Sequence, residues 1–164
     1  MIRAATPGDC AAIWNPIIRD TLVTFTTAEK TAAELEAVLS AKAAEELPFL
    51  VAEMAGSIAG FATYGQFGAG PGYARTMEQT IILAPAAQGH GLGRGLIAGL
   101  VDHGRARVVH SLWAGVSAEN PVGVRFHAAM GFAEIGGRPQ VGYKFGRWLD
   151  LVLMQEILVY TWRH

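Results

Sequence analysis

Three glycines at alternate positions, Gly89, Gly91 and Gly93, separate the apolar run Ile81-Ile82-Leu83-Ala84 from a helical apolar period at Leu92, Leu96, Ile97, Leu100 and Val101. A strand that enters a helix through such a turn builds a cradle. Glycine lets the backbone approach a ligand closely and turn successive N–H groups inward, and the following helix adds its positive end. The ligand this favours is an anion, with pyrophosphate the best fit; a glycine-rich connection that holds nothing is the plain alternative. A nucleoside triphosphate loop would end in Gly-Lys-Ser/Thr, whereas Gly93 is followed by Arg94 and Gly95. A dinucleotide fingerprint fits only if it begins inside the helical period, at Gly93-Arg94-Gly95, and no acid stands about 20 residues on to hold a ribose.

The rest of the composition narrows the field. At 164 residues and 51% apolar, the chain is read as one domain, 1–164, with enough apolar sequence to bury a core. No uninterrupted apolar stretch reaches about 18 residues, and Met1-Ile2-Arg3-Ala4-Ala5 lacks the apolar core of a signal segment, so a soluble cytoplasmic protein with no membrane partner is expected. A formal net charge of −1 without a basic run argues against nucleic acid as partner. The single Cys10 cannot form an internal disulfide, and the five histidines show no metal-ligand spacing, so no metal is expected.

Local signals lay out the elements. Thr6-Pro7-Gly8-Asp9 opens a first helix, with Ala12, Ile13, Pro16 and Ile17 on one face and Pro16 expected to kink or shorten it. Thr31 and Glu34 form a capping box for a second helix reaching about Glu46, and the β-branched stretch 21–27 between them reads as a loop. Phe49 to Met54 and Ile58 to Tyr64 flank the hairpin signal Ala55-Gly56-Ser57. A glycine-rich loop then leads to a strand from Thr76 to Ala84. The helix after the cradle is expected to stop at Gly104, followed by a buried strand over 108–116 and a helix over 120–130 that Gly131 ends. Phe132 to Ile135, Val141 to Phe145 and Trp148 to Ile157 read as an antiparallel tail. This order predicts a layered α+β domain around a mixed sheet.

Two motifs in this order carry a resemblance. Gln88-Gly89-His90-Gly91-Leu92-Gly93 fits the Gln/Arg-x-x-Gly-x-Gly/Ala turn, and Asn120-Pro121-Val122-Gly123-Val124-Arg125-Phe126-His127-Ala128-Ala129-Met130-Gly131-Phe132 looks like Asn-x-x-(Ser/Ala)-x-x-(Leu/Met)-(Tyr/His)-x-x-x-Gly-(Phe/Tyr). Together they resemble the coenzyme A loop and second signature of the GNAT superfamily of N-acetyltransferases. Within it, Thr63-Tyr64-Gly65-Gln66-Phe67, Tyr73-Ala74-Arg75-Thr76-Met77-Glu78-Gln79-Thr80 and the segment from Pro139 to Asp150, most specifically Lys144-Phe145-Gly146-Arg147-Trp148-Leu149-Asp150, look like the phosphinothricin and methionine sulfoximine acetyltransferases. The resemblance spans nearly the whole chain. It implies a GNAT-type, mostly antiparallel sheet with helices on both faces, acetyl-CoA as co-substrate, and transfer to the α-amine of a small amino-acid analogue. Another small amine, a protein N-terminus, or a non-catalytic acyl-CoA sensor are the rival readings.

Acetyl transfer from a thioester needs a neutral amine, a stabilised oxyanion and a proton for the thiolate. Glu78 lies in an apolar strand, where burial would raise its pKa towards that of a useful base, and the family's catalytic glutamate falls there; a strand-edge glutamate facing water is the other reading. The resemblance implies oxyanion donors at the backbone of Ile81, Ile82 and Leu83, and coenzyme A contacts from Gln88, Gly89, His90, Gly91, Leu92, Gly93, Arg94 and Asn120. Asn120 also reads as a helix cap, and Arg94 as a solvated first-turn residue. His127 stands where many members carry the tyrosine that protonates the thiolate, but its apolar neighbours suit a packing histidine equally. For an acceptor carboxylate, Arg75 and Lys144 are the candidate cations, with Tyr73 and Phe25 as walls. The chain departs from the family pattern at Ala74, Arg75, Gln79 and Ala128, and on a strand the one-residue arginine shift would reverse its face. Cys10 has no evident base partner, which favours direct transfer over an acyl-enzyme. The apolar content of 148–158 exceeds what an exposed edge strand carries, and with the resemblance it implies a homodimer whose C-terminal segment helps complete the acceptor site.

Overall fold

The computed structural model describes residues 1–6, 9 and 11–159, with side chains from residue 14 onward in the first helix. The readings placed on Pro7, Gly8 and Cys10 lie outside the described residues, and the helix face at Ala12 and Ile13 lies outside the described side chains. Seven strands and four helices follow one another as β1 (Ile2–Ala4), α1 (Ala11–Asp20), α2 (Ala32–Ala44), β2 (Phe49–Met54), β3 (Ser57–Gln66), β4 (Thr76–Leu83), α3 (Leu92–Ala106), β5 (Ser111–Ser117), α4 (Pro121–Ala129), β6 (Ala133–Lys144) and β7 (Arg147–Ile157). They form one sheet in the order β1-β2-β3-β4-β5-β7-β6. Among the described residues only the β4/β5 pairing is parallel.

Alternation along β3 separates two cores. Phe61 points to one face, where Val51, Phe49, Leu35 of α2 and Trp14 of α1 gather. Ala62 and Tyr64 point to the other, where Leu96, Ile97 and Leu100 of α3 pack with Leu112 and Phe132, and Phe126 of α4 leans on the same cluster. Helices therefore cover both faces, as expected for this mostly antiparallel architecture.

Several local readings have clear physical counterparts. The capping box of α2 is formed in both directions: the Glu34 amide donates to Thr31 Oγ1 at 3.1 Å, and the Thr31 amide donates to Glu34 Oε2 at 2.7 Å. Ala55 and Gly56, with φ of 52° and 78°, close the two-residue β2/β3 hairpin. Pro16 sits inside α1, which continues through to Asp20.

Four expectations change. Gly104 does not stop α3, which continues to Ala106; a Cβ there would come within 2.8 Å of Leu158 Cδ1, so the glycine serves a close approach. The buried strand begins at Ser111 rather than 108, because Val108 has a left-handed φ of 57°. β6 is one strand rather than two. Its register skips between Arg138 and Gly142, where the Gln140 amide donates to Asp150 Oδ1 at 2.8 Å, so a bulge replaces the expected break. The C-terminal strand is not an edge, since β7 lies between β5 and β6 and its apolar content is explained by burial of Leu149 and Met154. The short β1, which no local pattern announced, forms the opposite edge against β2.

Candidate active site

The site begins where the parallel pairing fails. β4 and β5 are in register from Thr76/Ser111 to Gln79/Ala114 and no further, while β5 continues to Ser117 against β7 and β4 continues to Leu83 against β3. The two strands part beyond Gln79. Two cavities meet at this opening, one of about 550 Å³ and one of about 370 Å³, and both are walled by Ile81, Ile82, Asn120 and His127.

Strand alternation decides which amides face the gap. The Phe67 amide donates to Thr76 O at 2.9 Å and the Ala84 amide to Ala59 O at 2.8 Å, so the even-numbered residues of β4 bond to β3. The N–H groups of Ile81 and Leu83 are left pointing into the opening. Ile82, grouped with them from the sequence, keeps its amide in the β3 ladder while lining both cavities.

The larger cavity runs to the cradle. Gly89 and Gly91 adopt φ of 81° and 76°, and a Cβ at either would meet nothing within 4 Å, so both need glycine for backbone conformation and leave open space above them. Gly93 is different: a Cβ there would lie 3.0 Å from Phe126 Cε2 and 3.1 Å from Leu83 Cδ1, so it lets α3 pack against α4 and β4. The first α3 amide to find a backbone acceptor is that of Gly95, bonded to Gly91 O at 3.1 Å; among the described residues the amides from Gly89 to Arg94 have none. Successive unpaired donors at a helix N-terminus are what a pyrophosphate requires. Gln88, Leu92 and the exposed Arg94 also line this cavity, whereas His90 does not and turns its Nδ1 towards Gln88 O at 3.1 Å. Asn120 caps α4 through Oδ1, which accepts from the Gly123 amide at 3.0 Å, leaving Nδ2 as a donor at the junction of the cavities.

The smaller cavity lies across the opening, walled by Trp14 of α1 and by residues 23–26 and Lys30 of the loop between α1 and α2. Glu78 lines it, unheld by any side-chain hydrogen bond among the described residues. Though open to solvent at the rim, its carboxyl has enough protein around it that burial raises its pKa above the ordinary value, with Arg138 pulling it down. His127 is buried, and burial lowers its pKa, opposed by its bond to Gly123. Its Nδ1 lies 2.7 Å from the Gly123 carbonyl, which can only accept, so the ring proton sits on Nδ1; Nε2, 2.7 Å from Gln79 Nε2, then accepts from the Gln79 amide. Both ring nitrogens are engaged. Gln79 Oε1 is left buried without a partner.

The acceptor candidates divide. Phe25 and the neighbouring Thr24 line the smaller cavity, and Phe25 lies flat on Gly142 of β6, where a Cβ would come 2.6 Å from its ring. Lys144 is 2% exposed and donates to Thr24 O at 2.9 Å, so it anchors the loop from beneath and does not line the cavity. Tyr73 packs on Phe67, with ring centres 6.1 Å apart, outside the cavity walls. Arg75 is exposed in the turn ahead of β4, so the face-reversal expected for a strand arginine does not apply to it. Sequence reasoning missed Lys30 and Trp14, both in this wall. Trp14 has a faint signal in its helical spacing with Ile17 and Ile18; Lys30, a polar residue ahead of a helix cap, has none.

A phosphate cradle joined through a parted parallel pair to a second cavity overlooked by a carboxylate defines an acyl-CoA-dependent transferase. The family model described as the acetyltransferase (GNAT) domain matches residues 2–153. An L-methionine sulfoximine/L-methionine sulfone acetyltransferase of Salmonella typhimurium is 37% identical over 157 residues, covering 94% of this chain and 92% of the relative. A Salmonella typhimurium structure solved with its cofactor acetyl-CoA superimposes with a TM-score of 0.92 at 35% identity, covering 98% of this chain and 95% of that one. A ribosomal-protein-alanine N-acetyltransferase from Brucella melitensis gives a TM-score of 0.91 at 38% identity, over 96% and 99% of the two chains. The chain belongs to the GNAT acetyltransferase family. It is an N-acetyltransferase with acetyl-CoA as co-substrate.

Proposed function

We propose that the protein acetylates the α-amino group of a small amino-acid analogue, of the methionine sulfoximine, methionine sulfone or phosphinothricin type, by direct transfer. The observation that carries this reading is the opening beyond Gln79 and Ala114, which joins the coenzyme cavity to an amino-acid-sized space beside Glu78. Acetyl-CoA, as co-substrate, supplies the thioester carbonyl: the C–N bond forms as the C–S bond breaks, and the second proton lost by the nitrogen passes to the departing coenzyme A sulfur, directly or through a water. Glu78, with its raised pKa, takes the proton of the incoming ammonium, directly or through a water. The Ile81 and Leu83 amides are aimed where the oxyanion develops. The two hydrogen bonds of His127 support a positioning role over that of general acid, because its only proton is held by Gly123 O.

The protein is proposed to work as a homodimer in the cytoplasm, its lone cysteine giving it no internal disulfide that would require an oxidising compartment. The test of function is free-thiol release from acetyl-CoA over a panel holding L-methionine sulfoximine, L-methionine sulfone, phosphinothricin and an alanine-initiated peptide. Release with the amino-acid analogues is expected. Release with the peptide alone would move the acceptor to a protein N-terminus, and acetyl-CoA binding without release by any amine would make the chain a sensor.

A further inference from the structure

One cation in the wall of the acceptor cavity is not assigned by the family pattern. Lys30 immediately precedes Thr31, the N-cap of α2, and its backbone is gripped by one side chain of α1. Asn15 Oδ1 accepts from the Lys30 amide at 2.7 Å, and Asn15 Nδ2 donates to the Lys30 carbonyl at 2.8 Å. The root of the side chain is therefore fixed to the helix that walls the cavity. At its other end, the ammonium stands 5.7 Å from the centre of the Trp14 ring, which is itself packed on Phe61 with centres 4.9 Å apart.

The carboxylates nearest in sequence are hydrogen-bonded to other groups: Glu29 pairs with Arg19 at 3.2 Å, and Glu34, which feels the Lys30 charge without pairing with it, serves the capping box. Among the described residues Lys30 has no ion-pair partner, and it is the one cation in the cavity wall, which it shares with a single acid, Glu78. The two other cations considered for this task are placed otherwise: Arg75 is exposed in a turn outside the wall, and the Lys144 ammonium is occupied with Thr24 O.

We infer that the Lys30 ammonium binds the carboxylate of the acceptor, so that a zwitterion is read by one charge at each end, Glu78 towards the amine and Lys30 towards the carboxylate. This rests on the acceptor class proposed above. An ammonium in a cavity wall beside an indole face gains more from an anion than one in bulk water does. A lysine is a point charge on a flexible stem, so it selects for the carboxylate without fixing its plane, unlike an arginine fork. The structure thereby moves the anion-binding role from the strand β4 approach to the loop ahead of α2.

The test compares L-methionine sulfone with its carboxamide, which keeps the amine and removes the anion. In Lys30→Met, the ratio of KM for the sulfone to KM for the carboxamide is expected to rise about 10- to 100-fold, as for loss of a charged hydrogen bond, with kcat for the sulfone changed far less. Lys30→Arg should restore most of that ratio, which a merely structural role for the lysine stem would not predict. An unchanged ratio in Lys30→Met, or equal KM increases for both acceptors, overturns the assignment while leaving the acceptor class in place. Calorimetry of sulfone binding to the acetyl-CoA complex separates the two readings. Carboxylate-dependent binding that Lys30→Met abolishes, without turnover, would uphold Lys30 and reject the proposed reaction; no binding and no turnover would reject both.

Discussion

At Gly91 the backbone and the ligand make separate demands, and one substitution tells them apart. The residue has a left-handed φ of 76° with open space where a Cβ would stand. Aspartate tolerates that region better than most residues, so Gly91→Asp should fold with a loss of about 1–2 kcal/mol. Its carboxylate would nevertheless occupy the donors meant for the pyrophosphate, and acetyl-CoA affinity measured by calorimetry should be abolished; an unchanged affinity would reject the cradle. Glu78 allows a sharper test through pH. Its folded pKa lies above the ordinary 4.5, so the folded chain holds this proton more tightly than the unfolded chain does. Relative to Glu78→Gln, wild-type stability should therefore fall as pH rises from 4.5 to the raised value. Over the same window the proposed base becomes available and kcat/KM should rise. Glu78→Gln should lower turnover by roughly 10² to 10⁴ and lose that limb of the profile, with acetyl-CoA affinity retained. A near wild-type rate at neutral pH would assign the proton to another group.

Between elements, the acceptor wall depends on how the α1–α2 loop docks on the outer hairpin. Two contacts hold it: Phe25 on Gly142, and the Lys144 ammonium on Thr24 O at 2.9 Å. Gly142→Ala would push a methyl into the Phe25 ring, and overpacking of this kind costs about 1–3 kcal/mol in urea denaturation. Since Phe25 lines the smaller cavity only, the KM for the acceptor should rise several-fold while acetyl-CoA affinity holds. Equal loss of both, or of neither, would mean that the loop does not shape the acceptor site. This docking was not legible in the sequence. The capping box at Thr31 and Glu34, the hairpin at Ala55-Gly56 and the cradle were, because each is a local arrangement that a few neighbouring residues determine. The parting of β4 from β5, the cavity-facing position of Lys30 and the contact of Gln79 with His127 join residues far apart in sequence. They follow from topology, which leaves little local trace.

At the scale of the whole molecule the outer strand is the most exposed part of the sheet. β6 is an edge strand of 12 residues whose only buried members are Val141's neighbour Gly142 and Lys144, and its partner side carries the cross-strand pair Tyr143 and Trp148, with ring centres 5.1 Å apart. Tyr143 is 57% exposed, Phe145 58% and Trp148 60%. Aromatics so exposed beside an unpaired edge are a docking surface or an aggregation hazard. The sequence located this apolar excess in the last strand, but β7 is interior and the exposed residues belong to the β6–β7 hairpin end. A two-fold axis would set that patch against its own copy, close to the Gly142 and Phe25 contact that shapes the acceptor wall. Sedimentation at micromolar concentration should therefore show a dimer, and Trp148→Ala should weaken it and raise the KM for the acceptor together. A wild-type monomer would reject the dimer. A dimer that Trp148→Ala leaves intact, with the KM unmoved, would place the interface elsewhere and leave the acceptor site complete within one chain.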